Sequence, residues 1–214
     1  MRIVSLDLDG TVVSREYVDY FWLELVPRLY AERWGVGLEE ARRLVFSAYD
    51  EVGPGDLRWY RPAYWFERFG FPELLEWALR EAGGLVRLYD DAASFLEAVR
   101  GRVEVAICTS ASREFIDLVF EKIPILRESV DAVFSSSSDF SLPGKPPEFF
   151  KAVLAKLGAQ PDEVVHVGDD PVHDYENPRS VGIRAFLMAR KGEGQRDPPE
   201  RLRNLLELLE IIHL

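Results

Sequence analysis

The chain has a single cysteine, Cys108, in 214 residues, with two Met and three His beside it. One thiol cannot close an intramolecular disulfide, and so few soft donors exclude a structural zinc or a soft-metal cluster. Basic residues are the next shortage: 26 Lys and Arg face 37 Asp and Glu, leaving a net charge of -11. A chain this acidic is excluded as a general binder of nucleic acid or anionic membrane, whose phosphates call for clustered Lys and Arg. Long apolar runs are missing as well. None approaches the roughly 20 residues of a membrane span, and Asp7 and Asp9 interrupt the N-terminus before a signal-peptide hydrophobic region can form. The expectation is a soluble, cytoplasmic protein. Its 15 Gly and 13 Pro are spread thinly, and 47% hydrophobic against 29% charged residues describes a folded chain able to bury a sizeable core.

Five short apolar segments, rich in β-branched residues, read as buried strands: Ile3–Leu8, Val103–Cys108, Ala132–Phe134, Val164–Val167 and Ile183–Met188. Helix-like stretches at Asp91–Val99, Glu114–Lys122 and Glu148–Leu157 alternate with the later four, which predicts an α/β fold with a parallel sheet. Between Ser14 and Tyr89 the alternation breaks. Tyr17, Val18, Phe21, Trp22, Leu25 and Leu29 recur at steps of three and four, as do Leu38, Ala41, Leu44, Val45 and Ala48, while Tyr60–Phe69 reads as another helix. All five Trp fall in this block. The division predicted is a core of residues 1–14 and 90–214 and an inserted helical module of residues 15–89 with its own aromatic core. Ser135–Ser138 reads as a loop, as does Lys191–Pro198, and Pro199–Ile212 reads as a closing helix with Leu202, Leu205, Leu206, Leu209 and Ile212 on one face.

The chemistry gathers where strands end. Asp7-Leu8-Asp9-Gly10-Thr11 closes the first strand, and residues at i and i+2 leave a strand on the same side, so two carboxylates converge at the edge where open α/β sheets bind ligands. Gly10 lets the backbone come close to a ligand. Thr109 and Ser110 follow the second strand and offer hydroxyls to a phosphate oxygen. Gly144-Lys145-Pro146-Pro147 follows the third by a longer loop, and Gly168-Asp169-Asp170-Pro171-Val172-His173-Asp174 follows the fourth. Two acidic loops, hydroxyls and one lysine suit a hard cation and a phosphate: Mg²⁺ prefers oxygen ligands, and lysine supplies a point charge.

With those motifs in that order, the chain resembles the haloacid dehalogenase-like (HAD) hydrolase superfamily, over roughly residues 2–14 and 90–190. The resemblance implies a Rossmann-like core with strand order 5-4-1-2-3 and a helical C1-type cap. It further implies a Mg²⁺-dependent phosphatase acting on a small phosphorylated metabolite. Asp7 would be the nucleophile and Asp9 the general acid and base. Mg²⁺ would sit on Asp7, the Asp9 carbonyl and Asp169, with Asp174 or Asp170 in its outer sphere. Thr109, with Gly10 and Ser110, would hold the phosphoryl group, and Lys145 would neutralise its charge. A phosphomutase, a dehalogenase or a non-catalytic binding protein of the same fold are the alternatives, and the presence of Asp9 speaks against the dehalogenase, since a halide needs no proton. A receiver domain also combines acids, a Thr and a Lys, yet has no helical insertion after its first strand.

Other residues have plainer readings. Cys108 is expected to be a small buried hydrophobe, His166 to pack within its strand, His173 to be a solvated loop side chain and His213 to lie at a fraying end. Arg58 and Arg61 flank Trp59 and Tyr60 beside the Gly53–Gly55 turn. They are the candidates for contacting an anionic or ring-bearing leaving group.

Overall fold

In the computed structural model, which describes residues 2–190 and 200–213, the five apolar segments form strands β1 (Ile3–Leu6), β2 (Glu104–Thr109), β3 (Ala132–Ser135), β4 (Val164–Gly168) and β5 (Arg184–Met188). All pair in parallel. Their apolar runs are continuous because both faces are covered. Val4, Leu6 and Ile107 join one buried cluster, while Ile3, Ala106 and Cys108 join another on the opposite face with Phe149 and Phe150. Burial pushes the Cys108 thiol up to about 12, in keeping with an inert apolar role. The helices Asp90–Val99, Arg113–Lys122 and Pro147–Leu157 supply the covering layers. Among the described residues no helix is long and apolar enough to cross a membrane.

The sheet runs β3-β2-β1-β4-β5-β6. This is the expected 5-4-1-2-3 order read from the other edge, with a sixth strand added. That strand, β6 (Arg201–Leu202), pairs in parallel with Leu187 and Met188 and corrects the expected Pro199–Ile212 helix. Leu187 N–H donates to Glu200 O and Ala189 N–H to Leu202 O, so the edge of β5 recruits this segment to satisfy its backbone. Helix is left only at Glu207–Ile211. Leu202, Leu205 and Leu208 turn inward, while Leu206 is 40% exposed. The Lys191–Pro198 loop, with Pro199, lies outside the described residues. The serine run is also corrected. Ser135 ends β3, and its Oγ accepts from Ser138 N–H to start a helical turn, Ser136–Asp139.

After β1 the chain turns into helix. Glu16–Asp19, a π-type stretch at Tyr20–Leu25, and Val26–Trp34 run on without a break, followed by Leu38–Val52, Pro62–Phe69 and Leu75–Gly83. The helix expected over Tyr60–Phe69 starts at Pro62, whose missing N–H costs nothing in a first turn. Leu57–Tyr60 forms instead a 3₁₀ turn capped by Asp56. The aromatic core of this block is not separate. Phe115, on the helix after β2, has its ring 5.0 Å from Phe21, 5.9 Å from Trp22 and 6.1 Å from Tyr17, and the buried cluster is continuous from these helices to the sheet.

The chain leaves for the helices and returns side by side, with Ser14 N–H bonded to Arg87 O and Tyr89 N–H to Val12 O. A half-buried ionic cluster fixes this junction. Arg190 donates to Asp91 at 2.8 Å and to Thr11 O at 2.6 Å and lies 3.8 Å above the Tyr89 ring, while Asp91 also accepts from Leu205 N–H. Asp91→Ala strips Arg190 of its counterion and orphans the Leu205 amide. The expected loss is about 3 kcal/mol, a fall of about 6–12 °C in Tm by scanning calorimetry; a Tm within about 1 °C of wild type would show the cluster to be inert.

Candidate active site

Strand order decides which motifs meet. β1 lies between β2 and β4, so the residues after Leu6, at Thr109 and after Gly168 emerge side by side at one edge of the sheet. They open into a cavity of about 610 Å³ whose lining includes Asp7, Asp9, Thr109, Ser110, Lys145, Asp169, Asp170 and Asp174. Gly10, expected to hold the phosphoryl group, is absent from that lining. With φ at +88°, it takes a conformation that L side chains rarely adopt, and the Asp169 carboxylate occupies the space a Cβ would need.

Lys145 is the centre of the arrangement. It is 3% exposed, and its Nζ meets Asp7 Oδ1 at 2.5 Å and also pairs with Asp174 Oδ1. Its loop is pinned from both sides: Lys145 N–H donates to His173 Nδ1 at 3.2 Å, and Asn177 Nδ2 donates to Lys145 O at 2.9 Å. Gly144, at φ +64°, lets the His173 ring lie against the backbone, with Cε1 2.5 Å from where a Cβ would sit. His173 therefore positions the lysine loop and is not simply a solvated side chain.

Burial would raise the carboxyl of Asp174, but Lys145 and His166 outweigh it and hold that group below the usual carboxylate range. Burial lifts Asp7 well above its ordinary value, and the charges of Asp174 and Asp169 add to this against the pull of Lys145. Burial would lower the Lys145 ammonium, yet Asp174 and Asp7 keep it raised and charged. Asp9 is pushed up to about 6, mainly by burial, with the Tyr17 hydroxyl opposing the rise. That hydroxyl donates to Asp9 Oδ1 at 2.5 Å.

Asp7, Asp169 and Asp174 each offer a carboxylate oxygen, all within 4.8 Å of one another. Four acids, Asp7, Asp9, Asp169 and Asp174, face two cations, Lys145 and Arg15, so the site has spare negative charge and an all-oxygen donor set. Both properties fit a hard divalent cation. Asp170 and Asp174, left undivided by the sequence, separate here. Asp174 joins the cluster, whereas Asp170 Oδ1 accepts from Val172 and His173 N–H and starts the helical turn that carries Asp174. Thr109 and Ser110 line the floor, with Thr109 Oγ1 accepting from Ala111 N–H.

Several participants lie outside the sequence motifs. His166 bridges Ser5 Oγ at 2.8 Å and Asp174 Oδ1 at 2.9 Å with no exposure of its own. A signal existed: Ser5 and His166 are polar residues inside otherwise apolar buried strands, and such groups need partners. Tyr17 has the spacing of a core residue, and Arg15, whose Nη1 lies 3.5 Å from Asp169 Oδ2, belongs to no motif. Arg58 and Arg61, by contrast, are absent from the lining of the cavity. Arg58 is tied to Asp56 by two side-chain hydrogen bonds, of 3.0 and 2.7 Å.

Comparison with known proteins shows what the chain as a whole is similar to. A family model described as haloacid dehalogenase-like hydrolase matches residues 1–182. A GMP/IMP nucleotidase of Escherichia coli K12 is 27% identical over 186 residues, covering 86% of this chain and 81% of the nucleotidase. A HAD phosphatase from Thermococcus onnurineus superposes with a TM-score of 0.86 at 26% identity, covering 99% and 98% of the two chains. A 2-haloacid dehalogenase from Pseudomonas syringae shares the fold with a TM-score of 0.70 at 18% identity, covering 100% and 98%.

Proposed function

The chain belongs to the haloacid dehalogenase-like hydrolase family, and from that premise we propose that it hydrolyses phosphate monoesters of small metabolites, with Mg²⁺, through an aspartyl-phosphate on Asp7. The observation that carries the reading is the buried Asp7 carboxylate bonded to Lys145 at the floor of a cavity, with Asp9 two residues on and held by Tyr17. In this reading residues 15–89 act as a cap over the core of residues 1–14 and 90–214.

Asp7 attacks phosphorus; a bond from its oxygen to phosphorus forms as the bond to the leaving oxygen breaks. Asp9 gives its proton to that oxygen, then takes one from the water that cleaves the aspartyl-phosphate and restores Asp7. Lys145 holds the Asp7 oxygen and offsets charge on the phosphoryl group, while Thr109 and Ser110 present hydrogen bonds to its oxygens. Gly10 leaves room for the acidic loop of Asp169. Mg²⁺ would be held by Asp7, Asp169 and Asp174 with the Asp9 carbonyl, where it would neutralise the negative charge gathered between the carboxylates and the phosphate. Asp170 acts one layer out by shaping the turn. The need for a proton donor at the leaving oxygen favours phosphoryl transfer over removal of a halide, which requires none. The name of the nucleotidase relative adds nucleoside monophosphates to the esters worth trying.

The test is orthophosphate release from p-nitrophenyl phosphate with Mg²⁺ and again after chelation with EDTA. Metal-dependent release is expected; release unchanged by EDTA removes Mg²⁺ from the proposal, and no release from this or a wider panel of esters removes hydrolysis.

Tyr17→Phe deletes one hydrogen bond to Asp9 with little change in packing. We expect kcat to fall about tenfold with KM nearly constant. The loss should be larger for alkyl phosphates than for p-nitrophenyl phosphate, because a poor leaving group depends more on the proton from Asp9. Equal losses across that series would show that Tyr17 supports structure only.

A further inference from the structure

The cavity is much larger than a phosphoryl group requires. At about 610 Å³ it falls within the range of about 300–1,000 Å³ usual for pockets that enclose a whole small molecule. Its lower end is the acidic cluster with Lys145. The rest is walled by the helical block and by the start of the helix after β2, and this part has a distinct chemistry.

Three half-buried rings line it: Trp22 from the π-type stretch, and Trp59 and Tyr60 from the 3₁₀ turn. They are held in place by neighbours. Tyr49 stands edge-on to both Trp22 and Trp59, at 5.8 and 6.1 Å between centroids. Trp65 Nε1 donates to the Trp59 carbonyl at 3.2 Å. The Tyr60 hydroxyl donates to Pro54 O at 3.0 Å and also meets the backbone of Gly144, beside Lys145. Rings fixed in this way lose little freedom when a flat group stacks on them.

Cations are not in similar supply. Among the described residues, Arg15 and Lys145 are the arginine and lysine in the lining; Arg15 is engaged by Asp169 and Asp19, and Lys145 by Asp7 and Asp174. Asp19 adds negative charge to the same wall. The chamber is therefore hospitable to rings and inhospitable to a second anionic group. The arginines that flank Trp59 and Tyr60 in sequence, Arg58 and Arg61, do not alter this, since neither lines it.

Resting on the phosphatase reading above, we propose that this chamber holds the leaving group of the ester and selects an uncharged flat ring system, as in a nucleoside monophosphate. The ring stacks among Trp22, Trp59 and Tyr60.

The experiment compares kcat/KM of the wild-type protein with Mg²⁺ for a nucleoside 5′-monophosphate, ribose 5-phosphate, glycerol 3-phosphate and a ribose bisphosphate. The nucleoside ester is expected to exceed ribose 5-phosphate by about tenfold or more, mainly through KM, with the bisphosphate last. Trp59→Leu is expected to shrink that preference several-fold. Hydrolysis of all four esters with no advantage for the nucleoside ester overturns the chamber proposal and leaves the phosphatase reading intact. Release from none of them counts against the phosphatase reading, and binding then decides the chamber. Asp7→Asn protein is titrated with the nucleoside monophosphate and with ribose 5-phosphate while tryptophan fluorescence is followed. Tighter binding and quenching by the nucleoside ester supports the proposal; equal affinity overturns it.

Discussion

Asp7→Asn is expected to lower phosphate release by at least about 10⁴-fold, to the level of the background reaction. An amide oxygen is a poor nucleophile toward phosphorus and cannot form the aspartyl-phosphate on which both steps depend. The fold should persist, because the substitution is nearly isosteric and removes one of four carboxylates that share Lys145 and Arg15. Asn can still accept the Lys145 hydrogen bond that Asp7 accepts at 2.5 Å. We therefore expect a Tm equal to wild type or higher in metal-free buffer, together with lost turnover, and no phosphate retained on the denatured protein after a brief reaction. Turnover above about one per cent of wild type would show that another group attacks phosphorus.

Lys145→Met should reduce both stability and activity. Methionine preserves the length of the side chain and deletes its charge, leaving Asp7 and Asp174, 5% and 0% exposed, without the ammonium between them. Removing one partner from a buried ionic cluster costs about 3 kcal/mol, a fall of about 6–12 °C in Tm for a chain of this size. Turnover should drop a further 10²–10³-fold or so among the molecules that remain folded, since the phosphoryl charge loses a fixed cation. Added Mg²⁺ should recover part of the Tm and little of the turnover, because a divalent ion can neutralise the carboxylates without standing where the lysine stood. Calorimetry with and without the ion reads the first effect and phosphate release the second. If neither Tm nor turnover moves, Lys145 is not the electrostatic centre of the site.

How much of this was legible beforehand depends on the range of the interaction that encodes it. β1 through β5 could be read because an apolar β-branched run between polar segments reports burial locally. The motif residues could be read because chemistry is carried by residue type: Asp7, Asp9, Lys145, Asp169 and Asp174 announce a charged site wherever they meet. The C-terminal segment misled because Leu202, Leu205, Leu206, Leu209 and Ile212 suit a helix by spacing, while the open edge of β5 captured Arg201–Leu202 as β6. The aromatic block misled in another way. Its periodicity showed which face is apolar but not that Phe115, from a different part of the chain, would join its core to that of the sheet.

By itself, then, the sequence determined the secondary elements with strong local pattern, the acidic balance of charge, and the inventory of groups at the strand ends. Tertiary structure decided the pairings. Lys145 meets Asp7 across 138 residues and His166 meets Ser5 across 161; which of Asp170 and Asp174 enters the cluster, which arginine reaches it and which rings face the cavity were settled at the same level. A side chain's type and period are properties of a few neighbouring residues, whereas its partner is chosen by the packing of the whole chain. Burial then sets the strength of each contact, by removing the water that would otherwise compete for it.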